Sequence, residues 1–124
     1  MKKEDRIKIW NKYNKHCAYC GKELEYKDMQ VDHFIPQRRA KKGRYKVSID
    51  VIEDEANYMP SCRRCNLYKR ANGIETLRRY IEEIPEKLKT VFIYKVALDY
   101  NIIEEKPRKI KFYYETFENK DGAS

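Results

Sequence analysis

The chain has 124 residues, 41% hydrophobic and 39% charged, with a net charge of +8 and a mean hydropathy of −0.96. That size suits one domain, or one domain with an appendage, and so polar a chain has little apolar surface to offset its ordering entropy, so a metal or disulfide staple is expected. No apolar run approaches the roughly 20 residues that span a bilayer, and the charged start Met1-Lys2-Lys3-Glu4-Asp5-Arg6 has no apolar stretch behind it. These features argue against a membrane partner and place the protein inside the cell, in the cytoplasm or nucleoid.

In chain order, Ile7, Trp10 and Tyr13 recur at helical spacing and predict a short amphipathic helix over Glu4 to Asn14. Cys17-Ala18-Tyr19-Cys20-Gly21 reads as a tight knuckle, with Gly21 supplying a left-handed turn. Met29 to Ile35 reads as a strand that stops at Pro36. The stretch from there to Ala56 shows no clear element, only a basic loop, an alternating Val47, Ile49, Val51 and an acidic turn. Asn57 to Pro60 predicts a second short strand, and Ser61 would cap a helix from Cys62 to about Ala71.

Asn72 and Glu75 fit a capping box for a helix that buries Ile74, Leu77, Tyr80, Ile81 and Ile84. Pro85 suits the first turn of a further helix, with Leu88, Val91, Phe92 and Val96 turned inward. Ile110, Phe112 and Tyr114 alternate with Lys111, Tyr113 and Glu115, which predicts a strand. Asn119 to Ser124 reads as a frayed tail. The expected division is a zinc-stapled domain over 1–73 and a mainly helical C-terminal appendage over 74–124, packed on the same domain.

Cys17, Cys20, Cys62 and Cys65 form two C-x2-C pairs separated by 41 residues. Two residues between thiols let both sulfurs of a pair reach one tetrahedral Zn2+. In a reducing compartment this pattern favours zinc over disulfides. Two redox pairs or four unrelated buried thiols are the alternatives. The gap exceeds that of a compact zinc ribbon, so something is inserted between the knuckles. A site closed by four thiolates has no open position, so its zinc would be structural.

Basic residues cluster twice. Arg38, Arg39, Lys41, Lys42, Arg44 and Lys46 fall between Gln37 and Val47 with no acid among them, and Arg63, Arg64, Lys69 and Arg70 lie in and just after the second Cys pair. A solvated surface is the plain reading of such charge. Two clusters flanking one candidate site point instead to a polyanion.

The insertion carries Val31-Asp32-His33-Phe34-Ile35-Pro36, then Asn57-Tyr58-Met59-Pro60, then Cys62-Arg63-Arg64-Cys65-Asn66 with Lys69. Cys62, Cys65, Asn66 and Lys69 stand at i, i+3, i+4 and i+7, along one side of a helix. Asp32 and Asn66 are oxygen donors, of a kind suited to Mg2+ or Mn2+ rather than to zinc. Asp32 and His33 are neighbours, so from a regular strand they would point to opposite faces, and a distorted or looped strand end is expected if they share a site. In order, spacing and residue type, residues 17 to 73 resemble the zinc-finger branch of the HNH endonucleases.

That resemblance implies an α+β domain with a ββα-metal fold, in which a two-stranded ribbon and a helix grip one divalent ion. It assigns His33 as general base, Asp32 and Asn66 as ligands of the catalytic Mg2+ or Mn2+, and Asn57 as the residue that orients the His-bearing loop. Asn66 stands where many members carry His, which keeps an oxygen ligand and gives up an imidazole. Lys69 would contact phosphate. The implied activity is metal-dependent hydrolysis of phosphodiester bonds in DNA; one site would nick a strand, and a dimer or a second event would cut both. A non-catalytic zinc finger that binds nucleic acid and an RNA-directed nuclease are the rival readings. The first has no use for Asp32, His33 and Asn66 together.

Overall fold

A computed structural model of the protein describes residues 1–40 and 46–122, with side chains as far as residue 117. It divides into two compact units. One joins Met1–Ile74 to the described residues from Lys111 onward, and the other is Glu75–Ile110.

In the first unit, helix α1 (Lys3–Asn11) ends earlier than its spacing predicts and buries Ile9, while Ile7, Trp10 and Tyr13 are half-buried. Polar tips of its flanking side chains reach across to the ribbon region. Trp10 Nε1 donates to the Leu24 carbonyl at 2.9 Å, Arg6 to that of Met29 at 3.0 Å, and the Lys12 ammonium to that of Tyr58 at 2.9 Å. The knuckle follows, and Gly21 takes φ +82, with an added Cβ there only 3.0 Å from the Tyr113 ring. Glycine meets both demands.

Strands β1 (Gln30–His33) and β2 (Tyr58–Ser61) pair antiparallel, with Asp32 opposite Met59 and His33 opposite Tyr58. Pro60 is tolerated because a two-stranded ribbon consists only of edge strands, and its carbonyl takes a 2.9 Å hydrogen bond from the Ala18 N–H of the knuckle. Between the strands lie a 3-10 turn over Gln37–Ala40 and a short helix α2 (Ile49–Ile52), capped by the Ser48 hydroxyl. The alternation of Val47, Ile49 and Val51 is therefore not a strand: Ile52 is the buried residue, while Ile49 and Val51 face water.

Helix α3 (Arg63–Lys69) is capped by Cys62, not Ser61. Ser61 still belongs to β2, and the extended backbone of Cys62 lets its Sγ accept from the Cys65 N–H at 3.4 Å. A positive φ of 53 at Arg70 then ends the helix.

The second unit holds most of α4 (Ile74–Glu82), with α5 (Ile84–Leu88) and α6 (Phe92–Asp99). Leu77 is the buried residue of α4, and Pro85 does sit in the first turn of α5. The expected single helix after Pro85 is broken. The Thr90 hydroxyl turns back to the Lys87 carbonyl, a local bond that competes with helix continuation, and Val91 is extended. Phe92 is consequently 81% exposed, and Val91 and Leu88 also face outward.

The strand expected around Ile110 to Tyr114 is also absent. Phe112 and Tyr114 are buried as the alternation implies, but their segment is not a strand. The N–H groups of Tyr113 and Tyr114 bond the carbonyls of Tyr19 and Ala18, at 3.0 and 2.8 Å. Glu115 accepts from the Phe112 N–H at 2.8 Å, half of a capping box, and α7 (Tyr113–Gly122) begins there, running through most of the expected tail. Among the described residues no helix is long and apolar enough to cross a membrane.

Candidate active site and metal centre

Cys17 and Cys20 come from the first knuckle; Cys62 and Cys65 come from the start of α3. Their sulfurs lie within 4.8 Å of one another, and none is in a disulfide. A tetrahedral ion with Zn–S near 2.3 Å holds its sulfurs about 3.8 Å apart, and the Sγ atoms of Cys20 and Cys62 are 3.8 Å apart. The donor set and the spacing both suit zinc. The Cys65 thiol, followed by backbone N–H groups, pulls Cys17 down to about 4, while Cys65 itself is pushed up by its contact with Cys17. Four thiols this close cannot all ionise without a cation among them.

One open cleft of about 370 Å³ is lined by Asp32, His33 and Asn66 together with Gln37, Arg38 and Arg70. Asp32 and His33 both remain inside regular β1, so the expected distortion is not needed. Both residues border the cleft. Asp32 is 6% exposed, and its Oδ2 accepts from the Tyr19 hydroxyl at 2.5 Å and from the Lys69 ammonium at 3.0 Å. Oδ1 accepts no hydrogen bond from the described residues. Asn66 Nδ2 donates to Gln30 Oε1 at 2.7 Å, which leaves its own Oδ1 free in the same sense.

His33 stands edge-on to its cross-strand neighbour Tyr58, ring centroids 5.1 Å apart. Its Nε2 is buried 3.4 Å from Glu53 Oε1, near enough for an ion pair but without the alignment of a hydrogen bond. The Tyr58 hydroxyl at 2.9 Å and the Gln37 amide at 3.4 Å hold Glu53 below the usual carboxylate range. Asn57 is buried and touches the loop after His33 rather than the cleft itself. Its Oδ1 accepts from Ile35 N–H at 2.7 Å, its Nδ2 donates to the carbonyls of Ile35 and Ile52, and its backbone carbonyl takes the Phe34 N–H at 2.8 Å.

Lys69 corrects the expectation of a phosphate contact. It is fully buried, bound to Asp32 Oδ2 and donating to the His33 carbonyl at 3.0 Å. On a helix packed against β1, the i+7 position that aligns it with Cys62 turns it under the ribbon instead of toward solvent. A buried ion pair is costly to break from one side. Lys69→Met should therefore destabilise the fold by about 3 kcal/mol, because the Asp32 charge loses its cation; an unchanged urea midpoint would show that the pair is not what holds this site.

The other basic residues fall as follows. Arg38 and Arg70 line the cleft, Arg38 also donating to the Ala71 carbonyl; Arg39 lies in the same 3-10 turn as Arg38. Lys46, Arg63 and Arg64 are exposed. Lys41, Lys42 and Arg44 lie outside the described residues.

The sequence profile of the HNH endonucleases matches residues 17–72, the span from the first zinc-type knuckle through the end of α3. Residues 17–72 are an HNH endonuclease domain. Among solved structures, the chain resembles part of a type II-C Cas9 enzyme from Actinomyces naeslundii, at 24% identity and a TM-score of 0.48 over 60% of this chain. The chain spans about 7% of the length of that enzyme. No curated protein matches the chain.

Sequence reasoning misses three polar partners of this HNH site: Tyr19, Gln30 and Glu53. Tyr19 carries a signal in its place between two metal-type cysteines, but it is one of eleven Tyr in the chain and reads as packing. Glu53 lies in an acidic turn whose distance from His33 depends on how the loop folds back.

Proposed function

We propose that this HNH domain hydrolyses phosphodiester bonds in DNA, with His33 as general base and one Mg2+ or Mn2+ held by Asp32 and Asn66. One observation carries the reading. Asp32, His33 and Asn66 border one cleft, and both Asp32 and Asn66 have an oxygen left over after their partners are counted. Oxygen donors suit these ions, and so small a protein ligand set leaves positions for water and phosphate. When bound, the ion would stabilise the charge that develops on the leaving oxygen.

The other parts belong to the chain. The Glu53 carboxylate lies 3.4 Å from His33 Nε2, so in this reading the proton sits on that side and Nδ1 offers the lone pair. His33 then takes a proton from water as that water attacks phosphorus, and the ester oxygen departs. Asn57 fixes the Phe34–Ile35 backbone that follows His33, so it is a positioning residue. Zn2+ at the four cysteines holds the first knuckle to the start of α3. In this reading the nuclease module is residues 1–73, completed by the segment that returns at the end of the chain, and the residues between form a helical appendage.

The test is cleavage of supercoiled plasmid by zinc-loaded protein with Mg2+, Mn2+ or EDTA, beside an RNA of matching length. Nicked or linear plasmid with metal and none with EDTA is expected. Binding without cutting would make this a zinc-finger binding module, and cutting of RNA alone would move the substrate.

Grip on the DNA backbone comes from the basic cluster that follows Pro36 in the sequence. Neutralising Arg38, Arg39, Lys41 and Lys42 is expected to weaken binding of all DNA sequences alike. It should also flatten the log–log salt dependence by about 0.9 for each phosphate that is no longer neutralised. An unchanged slope in fluorescence-anisotropy titrations would place the DNA path elsewhere.

A further inference from the structure

We propose that Tyr19 is a positioning residue for the catalytic divalent ion, aiming the Asp32 carboxylate from inside the zinc knuckle. This rests on the reading of Asp32 as a ligand of that ion. Tyr19 stands between the two cysteines of the first pair, and its ring is 2% exposed. The knuckle dictates where its hydroxyl goes. The Tyr19 N–H points to Cys17 Sγ at 3.4 Å, its carbonyl takes the Tyr113 N–H at 3.0 Å, and Phe112 and Tyr114 stand edge-on to its ring.

The hydroxyl then meets Asp32 Oδ2 at 2.5 Å, on the same oxygen that the Lys69 ammonium reaches at 3.0 Å. Two donors converging from two elements stop the carboxylate from turning and reserve Oδ1 for another partner. Either donor alone would let the group swing about the remaining bond. The phenol is the donor in this contact, because a carboxylate oxygen has only lone pairs to offer. Packing alone does not call for this hydroxyl: Phe would fill the same apolar space, and a buried hydroxyl is kept where it has an acceptor. Groups that bond a metal's ligands commonly govern metal affinity as strongly as about tenfold to a hundredfold.

The experiment measures Mn2+ binding to the zinc-loaded full chain through the electron paramagnetic resonance signal of free Mn2+. Wild type, Tyr19→Phe and Asp32→Ala are compared, with zinc content by elemental analysis. Tyr19→Phe is expected to bind Mn2+ about 10–100-fold more weakly with its zinc retained, and its plasmid cleavage should recover when Mn2+ is raised by the same factor. Wild-type Mn2+ affinity in Tyr19→Phe, while Asp32→Ala has lost binding, overturns the role of Tyr19 and leaves Asp32 as ligand. Loss of zinc from Tyr19→Phe also overturns it, since the hydroxyl would then belong to the staple. Wild-type affinity in Asp32→Ala overturns the metal-site reading itself.

Discussion

His33→Ala is expected to lower the cleavage rate about 10²–10⁴-fold, the usual contribution of a positioned general base. Folding, zinc content and DNA affinity should stay close to wild type. The His33 ring packs on Tyr58 at the ribbon edge and belongs to neither the four-cysteine cluster nor the basic residues. Its backbone carbonyl, which holds Lys69, survives the substitution. Asn66→Ala should behave differently: with one of two protein ligands gone, part of the missing activity should return at high Mg2+ or Mn2+. Added metal cannot replace a base, so His33→Ala should show no such rescue. Single-turnover rates across a metal titration separate the two. Equal cutting by His33→Ala and wild type would remove His33 from the chemistry.

Loss of the zinc staple should have the largest effect on stability. Cys62→Ser is a sharp test, because Ser is a good N-cap and can take over the bond that Cys62 Sγ accepts at the start of α3. What the substitution removes is a thiolate. Structural zinc sites in small domains contribute on the order of 10 kcal/mol to folding, more than the whole stability of many such domains. Cys62→Ser should therefore lose zinc and its cooperative thermal transition together, and EDTA should do the same to wild type. Elemental analysis and circular-dichroism melts decide it; full folding without zinc would show that the four thiols are not a staple.

The clustering of the four cysteines is legible in the sequence because it starts from local spacings: two residues between thiols, which a knuckle and a helix start translate directly into distances. The ribbon strands, α3 and the grouping of Asp32, His33 and Asn66 are legible for a similar reason, since motif order survives folding. What cannot be read depends on neighbours far away in the chain. Lys69 carries a charge and so reads as a surface residue; only its burial beside Asp32 makes it a structural cation. Phe112 and Tyr114 alternate like strand residues, and nothing local says that their partner is a knuckle rather than a strand. The cue that is present, Glu115 three residues after Phe112, is half a capping box and easily outweighed by β-forming aromatics. In α6 Val96 is half-buried but Phe92 faces outward, because the break at Thr90 and Val91 resets the helix.

The return of residues 112–114 to Ala18 and Tyr19 makes the nuclease module discontinuous along the chain. Contacts between points so far apart are slow to form, because a long loop must close before they reward the chain. During synthesis, a nascent chain that has emerged only as far as Ala71 already carries every cysteine and every cleft residue, yet lacks the aromatic cover over Tyr19. The hydroxyl that steadies Asp32 is seated only after residue 114 has been added. Trimming the protein to residues 17–72 would likewise keep each motif while stripping away both the α1 hydrogen bonds and that cover. The cleft thus matures late, and the order in which the polypeptide is made delays the assembly of a complete nuclease site.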